Sequence, residues 1–304
     1  MVKPVGAGMS KGLTVVLALL VLGACWGLTP SLAKLALAGG MRPLGIATVA
    51  ASIGATILLT VAAAKRDLPR FTMAHWRHYL AGGLIGLTLA NLFAFTALQH
   101  APAGLFAVLV PLAAVFSVIF FALAGLDRVT PRRALGTAVG LGGVMLAISP
   151  GAVLPDAAML PWAALMLLTP LCYAAANLLS VKLAVPGSSP LAQAAGTVLG
   201  AALSAFVVAA LLGHLAWPAD SRTALVLLAH GATNALGYLV YFRLLTGAGG
   251  VVTSQTSMTI TLGGLTYGYL IFNEVPGWLA LPAIALIFAG LVLVTSAKVS
   301  PKAA

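Results

Sequence analysis

Residues 13–38 read LTVVLALLVLGACWGLTPSLAKLALA, twenty-six positions with a single charge, Lys34. An apolar run of this length suits a helix crossing a hydrocarbon core about 30 Å thick, which needs ~20 residues. The texture continues along the chain. Of 304 residues, 61% are hydrophobic and only 7% charged, and the mean hydropathy is +1.09. A soluble domain carries about 25% charged residues, so this composition excludes a soluble enzyme, a secreted module and a disordered chain. It leaves a polytopic membrane protein. The runs are too long and too uniformly apolar for the alternating strands of a barrel.

Working outward, the pattern predicts an all-α protein with ten transmembrane helices, at approximately 13–38, 43–64, 78–98, 102–125, 132–149, 161–184, 190–213, 222–246, 251–272 and 278–297. The breaks carry turn residues: Gly39-Gly40, Lys65 to Pro69, Ser149-Pro150-Gly151, Pro186 to Pro190, Pro218, Gly247 to Gly250, and Pro276-Gly277. The net charge is +11. In a soluble protein that would point to nucleic acid; in a membrane protein it points to cytoplasmic loops, which accumulate Lys and Arg. With the N-terminus inside, thirteen basic residues fall on the inner side, and Lys34, Arg42 and Arg222 fall outside. Both termini are therefore expected in the cytoplasm, with the protein in the inner membrane. Leu22-Gly23-Ala24-Cys25 has the look of a lipoprotein cleavage point, but the apolar run continues past Cys25 to Ala38, too far for a signal segment.

An internal repeat is the most informative feature. Shifting the chain by 147 positions, without gaps, brings Cys25 onto Cys172, Trp26 onto Tyr173, Pro43 onto Pro190, Leu92 onto Leu239, Phe95 onto Phe242 and Leu98 onto Leu245. Asp127 meets Glu274, Gly143 meets Gly290, and Ser149 meets Ser296. The chain thus divides into halves at 1–149 and 150–304, each with five helices. Five is odd, so the second half enters the membrane inverted, with Asp127 inside and Glu274 outside. Inverted halves around one site are the architecture of secondary transporters.

The stretch Ala24-Cys25-Trp26-Gly27-Leu28-Thr29-Pro30 resembles the opening motif of the drug/metabolite transporter superfamily, EamA type. Leu98 to Ser149 and Phe242 to Ser296 resemble two copies of that family's recurring module, with Asn273-Glu274 at the acid position of the second. Copy one departs from the usual pattern, with Asp127 where Glu is common. The resemblance covers nearly the whole chain. It implies ten helices in two five-helix repeats and the carriage of small metabolites, often outward. Within the family the chain is similar to exporters of amino acids, aromatic ones among them.

Enzymatic chemistry has little support. The five acids, Asp67, Asp127, Asp156, Asp220 and Glu274, all lie near span ends. No nucleophile triad, CxxC, HExxH or phosphate loop occurs. Cys25 and Cys172 give neither a disulfide framework nor metal-ligand spacing, so no metal or cofactor is expected. A binding cavity is a better reading, because polar groups inside spans are costly and usually face the bundle or a water-filled path. His230, Asn234, Tyr238 and Tyr241 recur at helical spacing; so do Asn91 and Phe95, with Thr88 and Gln99; and Tyr173 and Asn177, with Trp162, Thr169 and Ser180. Residues 253–259 place six polar side chains in seven positions, including Gln255 and Thr259. Trp26, Phe95, Tyr173, Tyr238 and Tyr241 would give stacking area to an amphipathic solute, with amides as hydrogen-bonding partners. Some of these groups have other uses: Ser and Thr bond to their own helix or join helices, and Trp162, Trp76 and Tyr79 suit interfacial anchors. Lys34, Lys182 and Arg243 lie near enough to span ends to snorkel, while Asp127 and Glu274 suit caps or pairs at turns.

The sequence therefore leads to an alternating-access exporter of small metabolites, amino acids foremost, working as a facilitator in a monomer or homodimer with the lipid bilayer as its surroundings and no nucleic-acid partner. A proton-coupled drug or nucleobase exporter, a channel and an assembly subunit are the alternatives.

Overall fold

The structure is a computed structural model that describes residues 11–126, 130–154, 156–248 and 256–295. Among these it is all-helical, and the chain is a multi-pass membrane protein. Helix α1 spans Lys11–Ala38, α2 Pro43–Ala64 and α3 Met73–Gly83. A π-helical stretch, Leu84–Leu89, carries α3 directly into α4, Ala90–Ala97. Next come α5 Ala103–Leu109, α6 Leu112–Leu123 and α7 Pro131–Ala147. A short 3-10 turn, Ala157–Met159, leads into α8 Leu160–Met166 and α9 Leu168–Lys182. The rest are α10 Pro190–Leu211, α11 Ser221–Ala248, α12 Thr256–Phe272 and α13 Ala280–Thr295.

Among the described residues, seven helical stretches are long and apolar enough to cross a membrane: Gly12–Ala38, Pro43–Ala64, Met73–Ala97, Ala103–Leu123, Ala157–Lys182, Pro190–Leu211 and Ser221–Tyr241. Helices α7 and α12 have 17 described residues each and α13 has 16, which at ~1.5 Å per residue falls short of a ~30 Å core. The third stretch starts at Met73 rather than at the expected 78, so His75 and Trp76 belong to its first turns. Pro111 marks the break between α5 and α6, where a proline removes a backbone donor.

Small residues let the helices approach closely, as membrane packing requires. Helices α7 and α13 cross on glycines. A Cβ on Gly143 would lie 2.8 Å from the Ala283 carbonyl oxygen, and one on Gly136 would lie 2.9 Å from that of Gly290. The late part of α7 thus meets the early part of α13, and the reverse, so the two run antiparallel. Helices α2 and α10 meet through Ala55, Leu58, Ala62, Ala195, Val198 and Ala202. Their ends are also crossed. The Arg42 guanidinium donates to the Gly213 carbonyl at 2.9 Å, and the Ser189 hydroxyl donates to Asp67 at 2.6 Å. Residues 42 and 189, like 67 and 214, 136 and 283, and 143 and 290, are 147 positions apart.

The α7–α13 crossing gives a stability test. Gly290→Ala should lower stability by about 1–3 kcal/mol, the usual range for overpacking, since its Cβ would lie 2.6 Å from the Gly136 carbonyl oxygen. Gly142→Ala meets nothing within 4 Å and should be neutral or stabilising, by up to ~1 kcal/mol of helix propensity. Thermal unfolding of the purified variants checks the contrast.

Candidate functional site

One cavity of about 480 Å3 runs between α1, α2, the α3–α4 stretch, α9, α10 and α11. Its wall carries five large aromatic rings, Trp26, Phe106, Tyr173, Tyr238 and Tyr241, and the polar groups of Thr29, His78, Asn91, Asn177, Ser180, Gln193, Thr197, His230 and Asn234. Alanines and glycines from α2, α3 and α10 complete it. Trp26 is held in place. Its ring lies 5.4 Å from Tyr238, edge-on at 71°, and 5.4 Å from Tyr241 at 43°. It also sits on Gly237, where a Cβ would come within 2.8 Å of the indole Cε2. His230 is buried, with its ring 5.8 Å from that of Phe95. The π-helical stretch contributes Gly86 and Leu87 to the wall, immediately before Asn91.

Of the residues expected from sequence, Trp26, Asn91, Tyr173, Asn177, His230, Asn234, Tyr238 and Tyr241 meet in this wall. Phe95 does not; it is fully buried behind His230. Thr259 is also elsewhere, bonded to the Thr256 carbonyl of its own helix at 2.9 Å and packed against Gly23. Gln255 lies outside the described residues, as do Asp127, Thr253 and Ser254. Thr29, His78, Gln193 and Thr197 were not anticipated. Gln193 and Thr197 are four apart on α10, a spacing that was available to read. His78 falls at the expected start of the third span, where a polar side chain gives no sign of a cavity.

The lining positions pair at the repeat offset. Trp26 and Tyr173, Thr29 and Ala176, Ala47 and Ala194, Ala50 and Thr197, Ala51 and Val198, Leu87 and Asn234, and Asn91 and Tyr238 are each 147 apart and line the one cavity.

The cavity's two ends differ. At the end marked by Asn177 and Ser180, both exposed, the neighbouring contacts are neutral or singly charged. Thr72 bonds His75 Nδ1 at 2.7 Å, His75 Nε2 bonds the Ser188 hydroxyl at 3.0 Å, and Ser189 caps α10 while bonding Asp67. At the far end an ion pair dominates. Lys34 Nζ lies 2.7 Å from Glu274 Oε1, donates to the Ala101 carbonyl at 3.2 Å and sits 5.0 Å from the Phe272 ring centre. Lys34 is therefore paired across the fold, with its side chain still partly exposed. Glu274 also accepts the backbone N–H groups of Ala103 and Gly104, at 2.8 and 3.0 Å, capping α5. Nearby, the Asp220 carboxylate accepts the Thr223 N–H at 2.7 Å, which holds its pKa below the usual carboxylate value. Among the described residues no three His, Cys, Asp or Glu side chains are arranged to hold a metal ion.

Comparison with known proteins shows what the chain is similar to. Residues 13–149 match the EamA-like transporter family. A curated relative, an uncharacterized protein of Pseudomonas aeruginosa, is 29% identical over 180 residues, covering 58% of this chain and 60% of its own length. A solved protein crystal structure is similar in fold, with a TM-score of 0.65 at 19% identity, covering 94% of this chain and 98% of the other. The EamA-like stretch contains α1 to α7, and with them Trp26, Thr29, His78 and Asn91 of the cavity wall.

The Lys34–Glu274 pair gives a second test. Glu274→Ala removes the partner of three donors, whereas Lys34→Met leaves the carboxylate with two N–H groups. Glu274→Ala should therefore cost more, about 1–3 kcal/mol for unsatisfied groups, and Lys34→Met less, because the pair is partly exposed and screened. Equal losses in thermal unfolding would contradict this ranking.

Proposed function

We propose that this protein is a secondary transporter that exports small metabolites across the inner membrane by alternating access. The observation that carries the reading is the cavity built from paired positions of both halves. Two halves around one site can exchange conformations and open that site to either side. The antiparallel courses of α7 and α13, and of α2 and α10, support the inversion of one half relative to the other, because each pair consists of counterpart helices. On this reading there are ten spans, with 1–149 and 150–304 as the two repeats, and the excess of basic residues favours both termini in the cytoplasm. The open end near Asn177 and Ser180 then faces inward, and the Lys34–Glu274 end is the closed outer gate.

The wall offers rings and neutral hydrogen-bonding groups, which suits an amphipathic solute. Amino acids, aromatic ones in particular, are the class that the family resemblance implies. No carboxylate lines the cavity among the described residues. Proton-driven carriers use an embedded group that changes charge, so the proposed protein is a facilitator that moves solute down its own gradient. The functional unit is a monomer or homodimer working with its solute and the bilayer.

Reporter fusions after residues 127 and 274 should report opposite sides, with position 127 cytoplasmic; the same side for both would sink the inverted architecture. In proteoliposomes, labelled tryptophan should show saturable counterflow, unlike passage through a channel. His230→Leu, Asn234→Leu and Gln255→Leu should each weaken it several-fold in well-folded protein, as expected for a hydrogen bond worth ~0.5–1.5 kcal/mol. A pH gradient imposed at fixed potential should not concentrate the solute; concentration that His230→Gln abolishes would show proton coupling instead.

A further inference from the structure

We infer that the cavity selects aromatic solutes of zero net charge and that transport through it is electroneutral. The inference deepens the carrier reading, on which its transport half rests. It begins with what the wall contains. The lining has no Asp, Glu, Lys or Arg among the described residues. Lys34, farther along α1, is already committed to Glu274.

What the wall supplies is neutral polarity. Three of its residues hold buried side-chain atoms without a hydrogen-bond partner: Thr29 Oγ1, His78 Nδ1 and His230 Nδ1. Buried polar atoms are almost always paired in folded proteins. Five further such atoms lie away from the wall; the three in lining residues are neutral polar groups that a solute can pair with after a small side-chain shift. An imidazolium at either histidine would be buried with no carboxylate in the wall to offset it, so the neutral ring is the form the wall holds. Hydroxyl, amide and neutral imidazole groups pair with dipoles and do not compensate a full charge.

The aromatic rings raise the one counter-argument, since such rings attract cations. Magnitudes decide it. A cation–π contact contributes about 0.5–2 kcal/mol, whereas removing an ion from water costs several kcal/mol even after relaxation. An anion meets the same desolvation cost without any ring attraction. A neutral solute avoids that cost and keeps the stacking area; in a zwitterion the ammonium and carboxylate offset each other in part, leaving no net charge for the wall to balance. A carrier whose wall is uncharged and whose cargo has no net charge moves no charge across the field.

Four probes sharing an indole ring test this: L-tryptophan and indole-3-acetamide, both of zero net charge, tryptamine, a cation, and indole-3-acetate, an anion. Binding is read as ligand-dependent thermal stabilisation of the purified full chain. Both net-neutral probes should bind at least tenfold more tightly than either charged one. Trp26→Leu should weaken their binding at least fivefold; if that variant fails to fold, Asn234→Leu, which removes a neutral partner, should do so instead. Tryptamine or indole-3-acetate binding as well as tryptophan would overturn the inference, as would the absence of binding by both net-neutral probes. Tryptophan counterflow should be unchanged by a potassium–valinomycin potential, and a dependence on potential would overturn the electroneutral half. Binding in the expected charge order with no counterflow would sink the carrier reading and leave the charge selection standing.

Discussion

One carboxylate ties the far end of the molecule together. Glu274 stands at the turn between α12 and α13, just after Asn273, whose backbone adopts the left-handed φ of 53°. From there it takes the ammonium of Lys34 on α1 and the first free N–H groups of α5. Each partner answers a separate physical need. The α5 terminus has N–H groups without helical acceptors, its dipole favours an anion, and a lysine within an apolar stretch needs a counter-charge. Together they fix three chain segments in one place. The polar material that a membrane would otherwise reject joins α1, α5 and the α12–α13 turn, and the close packing of α1 on α12 at Gly27 and Gly264 continues that contact along α1.

The same offset that pairs the cavity positions shows how unlike the two closures are. The counterpart of Lys34 is Val181, and that of Glu274 is Asp127. The ion pair at the far end therefore has no lysine to form it at the near end. The near end has hydroxyls and imidazoles instead, through Thr72, His75, Ser188 and Ser189. On the alternating-access reading, the outer gate closes on a lysine–glutamate ion pair and the inner one on hydroxyl and imidazole bonds together with the Ser189–Asp67 bond, so the two closures differ in kind.

Much of this was legible in the sequence, for reasons that differ by residue. The helices follow from apolar length alone. Asn91, His230, Asn234 and Tyr238 were readable because a polar side chain inside a span must find company, and helical spacing put several on one face. Phe95 and Thr259 lie on the same kinds of face but meet other helices, as Phe95 does behind His230. Periodicity identifies the side turned towards the bundle; it does not distinguish a helix contact from a cavity wall. Thr29 and Thr197 are single hydroxyls among Ala, Leu and Gly, too weak a signal to stand out. The partner of Lys34 was not legible, because snorkelling is a local argument, whereas that partner lies 240 positions away.

The size of the cavity follows from a division of labour between helices. The α2 and α10 walls offer Ala47, Ala50, Ala51 and Ala194, small side chains that leave space. Trp26 on α1, Tyr173 on α9, and Tyr238 and Tyr241 on α11 project rings into that space. The contrast requires glycine behind the largest ring, because a side chain on Gly237 would displace Trp26 from its seat. Small residues therefore serve two purposes in this fold. Where both faces are small, as at α7 and α13, backbones touch and no space remains. Where a small face meets rings held apart by their own edge-on packing, a cavity persists, because neither side can move in without losing contacts already made.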